Sequence, residues 1–372
     1  MQLDPNKRYL LSRPRGGFND AMVQLEKSRL YAVQYGRTLI LDMSRSGLHA
    51  PFESLFTVSD TFGCDVILWS PEVARELDAA QSIHPKPLSG RVSTYEIALK
   101  HQPNVQMVDR ETGCQINFDH SRDHAAQILV YEQMGGGYFS LEALKRISLQ
   151  PHVAEMIVTR LQPLDAGYQA VHIRHSDYKT DFEAFLTRLR PLLRGQHVLI
   201  CSDSAEAKGA AAAVLDRSTS VFSVSETPDT GGVPLHGKRD SDRFKDNVDL
   251  LTDLLAMSVA RKLYFTRLAG QHASKNKCSG FSLLADLLGR HPQTIRQLLS
   301  STDTTSIEPL LARKHPPRPS LTRWMHQLDY YRWNYRAAKL AIRRYHRSLS
   351  PITDPEKIPN SHWPEESHPN SL

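Results

Sequence analysis

Three places in the 372-residue chain hold residue types that could handle an anionic ligand. The first is Arg15-Gly16-Gly17-Phe18-Asn19-Asp20, between a short apolar run (residues 8–11) and a helix-like pattern. Glycines let backbone N–H groups approach a ligand closely, and a helix N-terminus adds partial positive charge that suits phosphate. The turn lacks GxGxxG spacing and is no P-loop, so a plain tight turn also explains it. The second is His172-Ile173-Arg174-His175-Ser176-Asp177, closing a strand candidate over 168–173. Alternation puts His172 and Arg174 on one face, and an Arg at a strand end suits forked contacts with phosphate oxygens. The competing reading is an Arg174–Asp177 ion pair beside a core histidine. The third spans residues 246–286. Asp253 lies on an amphipathic pattern with Val248, Leu251, Leu254 and Leu255, and Ser279 precedes a helix over 281–288. Asp253 reads equally as a helix-surface acid and Ser279 as an N-cap. Asp181 and Glu183 are candidate general bases for an acceptor hydroxyl, or acids that stabilise a helix N-terminus.

These segments need elements to carry them. Strand (8–11), glycine turn, helix stopping at Gly36 and strand (38–41) make a βαβ unit. Residues 64–69 and 127–131 add strands, and 140–164 reads as one helix. A second α/β run follows: strands at 168–173, 197–201, 221–224 and 262–266, and helices at 182–193, 205–215, 246–259 and 281–288. Strands alternating with helices imply mostly parallel sheets, which bind ligands beyond their strand ends. The expected fold is α/β and GT-B-like: two Rossmann-type domains with parallel sheets facing a central cleft. Residues 1–165 form the N-terminal, acceptor-side domain and 166–300 the donor-binding domain. Residues 301–319 read as a linker, 320–349 as a basic aromatic helix and 350–372 as a disordered tail.

Composition bounds the function. Apolar residues make up 40% and charged residues 23%, as in a folded soluble protein. No run reaches signal-peptide or membrane-spanning length, so a cytoplasmic location is expected. The four cysteines (Cys64, Cys114, Cys201, Cys278) are scattered and form no CxxC pair, which disfavours zinc and disulfides. The net charge of +6 is local. Residues 313–347 hold ten Lys or Arg against one acid, so the remainder carries −3.

Taken together the motifs resemble the α1,2-, α1,6- and protein O-fucosyltransferase superfamily, nearest its bacterial nodulation-factor branch. RGGFND with the later YGRTLILD is similar to the family's opening turn, helix and strand, and HIRHSD to its His-x-Arg motif. LICSDSAE is similar to its second motif. PLH (234–236), the Asp253 helix, YFT and SGFSLLA are similar to its third. The resemblance covers residues 8–42 and 168–290. It implies inverting transfer of fucose from GDP-fucose to a glycan or lipid-linked oligosaccharide, with no essential metal or other cofactor. By position, Arg174 would bind the β-phosphate and support the leaving group, and His172 and Asp253 would meet the guanine end. Ser279, Gly16, Gly17 and neighbouring Asn19 would contact the donor. The family's base falls near Phe182 by count, leaving Asp181 and Glu183 both open. Rival readings are another GDP- or UDP-sugar on the same fold, or a non-catalytic nucleotide-sugar or glycan binder.

The basic segment 320–349 interleaves Arg with Trp324, Tyr330, Tyr331, Trp333, Tyr335 and Tyr345. It fits an anionic membrane surface, where a lipid-linked acceptor would lie, or a helix packed on the protein. Nucleic acid is a weaker fit.

Overall fold

All six residues of strand β1, Tyr9–Pro14, are buried, because the strand lies mid-sheet with apolar layers on both faces. A computed structural model describes residues 3–312, apart from 101–105, 137–138, 178, 216–218, 228–241 and 269–277. The described residues form one compact unit. The basic aromatic segment, the tail, the later part of the expected linker and the PLH motif lie outside the described residues.

From β1 the chain enters helix α1 (Phe18–Tyr35) and strand β2 (Thr38–Leu41). Gly36 ends α1 at φ 61°, a left-handed conformation that glycine adopts without strain. Most of α1 is buried, which is why its sequence shows only a poor amphipathic period. Short elements follow: β3 (Phe56–Val58), β4 (Val66–Leu68), α2 (Pro71–Ala79), β5 (Ile83–His84), β6 (Ile97–Lys100), β7 (Gln106–Asp109) and β8 (Ile128–Gln133). The expected helix over 140–164 is instead three pieces: α3 (Ser140–Leu144), β9 (Ile147–Leu149) and α4 (Pro151–Leu161). Pro151 has no N–H to continue a helix and disfavours helical backbone before it, so a new helix starts there. Residues 147–149 then pair antiparallel with β3.

The second run follows the sequence closely: β10 (Gln169–Ile173), α5 (Phe182–Leu193), β11 (His197–Ser202), α6 (Ala205–Val214), β12 (Ser220–Phe222), α7 (Arg243–Val259), β13 (Leu263–Phe265) and α8 (Gly280–Gly289). Helices α9 (Pro292–Leu298) and α10 (Glu308–Leu311) complete the described chain. The expected linker is therefore not a linker at its start. Ile307, Leu310 and Leu311 are buried, Ser300 bonds Ser148 at 3.1 Å, and Ser301 bonds the Leu149 carbonyl at 2.8 Å.

Two parallel sheets result, ordered β4-β2-β1-β8-β5 and β12-β11-β10-β13. In each, the strand order reverses beside the strand that feeds a motif: β1 before the glycine turn, β10 before Arg174. Such reversals leave a crevice at the carboxyl ends of strands. Alternate residues of β1 face two separate cores. Tyr9 and Leu11 pack with Val73 and Leu77 of α2, while Leu10 packs with Met22 and Leu25 of α1. That second core continues without a break through α4, α7 and α8 to Ala170, Leu199 and Cys201 of the other sheet. The halves thus share apolar packing across the 161–169 crossover, reinforced by the Asn247 amide of α7 donating to the Leu48 carbonyl at 3.0 Å.

Candidate active site

The carboxyl ends of β1 and β10 open on a cleft of about 590 Å³. Gly16, Gly17, Asn19, His172, Arg174, Asp253 and Ser279 all line it, so seven of the nine residues picked from sequence converge there. Asp181 and Glu183 do not line it. Asp181 is exposed and caps α5, accepting from the Ala184 N–H at 3.1 Å, and Glu183 is exposed in that helix's first turn. The cap and helix-dipole explanation accounts for both acids where they stand.

The glycine turn is tightly built. Gly16 adopts φ 84°, and its carbonyl accepts from the Gly47 N–H at 2.8 Å. Arg15 turns away from the cleft and pairs with buried Glu132 at 2.5 Å. Behind the turn, buried Arg13 pairs with Asp42 at 2.8 Å under the Trp69 and Tyr95 rings, tying β1 to the end of β2. Gly17 is the N-cap of α1 and Ser279 the N-cap of α8, and neither helix has a side-chain cap bond. Two helices thus bring uncapped first-turn N–H groups to one cleft, an arrangement suited to an anion. They approach so closely that a Cβ on Gly280 would lie 2.7 Å from the Asn19 amide nitrogen. Asn19 is itself fixed, accepting from the Ser140 hydroxyl at 2.7 Å.

His172 is buried in β10, with Nδ1 2.6 Å from the Ser282 hydroxyl of α8 and its ring near Phe281. Burial, aided by the Arg174 charge, holds its pKa down at about 4, so the ring is neutral near pH 7. The Arg174 backbone N–H donates to the Thr266 hydroxyl at 3.0 Å, which anchors it to the end of β13. Its guanidinium pairs with Asp177 at 2.5 Å and Asp203 at 2.7 Å while its side chain stays 20% exposed on the cleft. The ion pair and the cleft position, rivals at the level of sequence, coexist. Asp203 is pinned by the His175 N–H at 2.7 Å and the Ser176 hydroxyl at 2.5 Å.

Asp253 projects from α7 toward the β11 end, beside Cys201 and Ser225. The residue is half-buried, but one carboxylate oxygen, Oδ1, is shielded from solvent and has no hydrogen-bond partner among the described residues. Burial pushes its pKa up to about 6. An orphaned buried acceptor facing a cleft is a place for a ligand N–H donor.

Sequence reasoning missed Asp20 as a site residue. It sits in the first turn of α1, lines the cleft, and has no salt bridge among the described residues. Its signal was present, since it directly follows the Asn of the glycine turn. Among the described residues, the lining carboxylates Asp177, Asp203, Asp249 and Glu226 have Arg or Lys partners; Asp20, Asp246 and Asp253 have none.

Comparison with known proteins now adds the fold. A fucosyltransferase NodZ from Bradyrhizobium superposes with a TM-score of 0.51 at 19% identity, over 77% of this chain and 93% of that one. NodZ α-1,6-fucosyltransferase co-crystallised with GDP gives 0.50 at 18% identity, over 77% and 93%. The same enzyme soaked with GDP-fucose gives 0.50 at 19%, over 77% and 94%. The chain has the NodZ fold. It is a GT-B arrangement, two Rossmann-type halves around a cleft, as the sequence led one to expect. No family model and no curated sequence matches the chain. The cleft motifs occupy the carboxyl ends of interior strands of the two sheets.

Proposed function

We propose that the chain is an inverting glycosyltransferase that moves fucose from GDP-fucose to a hydroxyl of a glycan or lipid-linked oligosaccharide. One observation carries this reading: Arg174 stands on the cleft wall at a strand-order reversal, beside two uncapped helix N-termini. In the proposed complex those N–H groups and the guanidinium hold the diphosphate. Negative charge growing on the departing GDP is stabilised by groups already in place. Asp253 supplies an acceptor for the N–H edge of guanine, with neutral His172 packed nearby. Structural similarity to a NodZ enzyme crystallised with GDP supports the donor class.

The test is a thermal-shift panel of nucleotides and nucleotide sugars on the purified full chain. GDP and GDP-fucose are expected to raise the melting temperature, by about 3 kcal/mol of added stability at a hundredfold excess over Kd. UDP, ADP and their sugars are expected to leave it unchanged. A panel in which UDP-sugars stabilise and GDP does not would overturn the donor assignment.

A further inference from the structure

The two walls of the cleft differ in chemistry. Arg174, Arg243 and six of the seven lining carboxylates come from the second half of the chain. From the first half the described lining residues are Gly16, Gly17, Phe18, Asn19, Asp20, Gly47, Met134 and Gly136, and Asp20 alone among them titrates. Its carboxylate is framed by backbone. A Cβ on Gly16 would lie 2.7 Å from its Oδ2, and one on Gly136 2.9 Å from its Oδ1. The Asn19 amide bonds it, and Asn19 is fixed by Ser140. Burial raises its pKa above the ordinary carboxylate range, and Arg174 opposes that rise without cancelling it. A more basic carboxylate is the better proton acceptor.

Resting on the transfer reading above, we propose that Asp20 is the general base that takes the proton from the acceptor hydroxyl. Inversion requires attack on the sugar face opposite the departing diphosphate. With the diphosphate against the Arg174 wall, the attacking oxygen stands against the wall that holds Asp20. The acceptor oxygen bonds to C1 as the C1–O bond to the diphosphate breaks. That electron pair leaves on GDP beside Arg174, and the hydroxyl proton passes to an Asp20 oxygen.

The experiment compares two acceptors on the full chain with GDP-fucose. Water must lose a proton, whereas azide has none to lose. Asp20→Asn is expected to lose water-dependent GDP release by about 10²–10⁴-fold. It should still form fucosyl azide at close to the wild-type rate and keep the GDP thermal shift. Asp20→Ser gives a second reading of the same azide-to-water ratio. Undiminished water transfer in either variant overturns the proposal, as does equal loss of water and azide transfer with GDP binding intact. A wild-type chain that neither binds GDP nor releases it from GDP-fucose refutes the transferase reading instead.

Discussion

Replacing Asp253 with Asn should make the empty protein more stable and the protein worse at its work. Burial lifts this carboxyl from 3.8 to about 6, and Oδ1 has no partner among the described residues. The folded state therefore holds the Asp253 proton more tightly than the unfolded chain. Well below pH 3.8 both states are protonated and the residue costs nothing. As pH rises toward 6 the unfolded chain ionises first, and folding loses free energy. Above about pH 6 the penalty levels off at about 3 kcal/mol. Asn is neutral throughout and close in shape. Asp253→Asn should then gain up to about 3 kcal/mol at pH 8 and about half of that at pH 5, read by urea denaturation at both values. Meanwhile the loss of a charge-assisted acceptor, worth about 1.5–3 kcal/mol, should weaken GDP by about 10–100-fold in titration calorimetry. A variant less stable than wild type at both pH values, or a gain that does not change with pH, would refute the reasoning. Either result would mean that the carboxylate is already satisfied when folded.

Arg174→Ala should slow GDP release from GDP-fucose by about 10²–10³-fold, the usual effect of removing one preorganised charge-stabilising donor. Circular dichroism should show a retained fold, because Asp203 keeps its bonds from the His175 N–H and the Ser176 hydroxyl. Gly280→Ala should lower the melting temperature by the equivalent of about 1–3 kcal/mol, since its methyl must displace the held Asn19 amide. Gly209→Ala is the control: nothing lies within 4 Å of its Cβ, so the better helix former should add about 0.5–1 kcal/mol.

The second half of the chain was more legible than the first. Helix 182–193 and the strands at 168–173 and 197–201 fall almost where the apolar pattern puts them. Helix 182–193 buries one stripe, Phe182, Leu186, Leu189 and Leu193, against its sheet, so its pattern stands out. In α1 that signal fails, because polar Asn19, Gln24, Glu26 and Arg29 are buried while apolar Leu30 and Val33 are exposed. The described residues between 84 and 125 form short strands and turns with little period, beyond the reach of pattern reading.

The sequence by itself determined the α/β order of elements and the residue types at the strand ends. Those follow from local periodicity and from the few side chains that suit a turn or a phosphate. Which of them share a site was decided only by tertiary structure. Arg174 is on the cleft because β10 lies between β11 and β13. Asp20 joins it because α1 packs on α8 through Gly280, 260 residues away in sequence. Asp181 and Glu183 fall outside because α5 starts on the exposed side of its loop. Nearness in sequence fixes neither wall of a cleft, since each wall is set by which apolar faces find one another in the shared core.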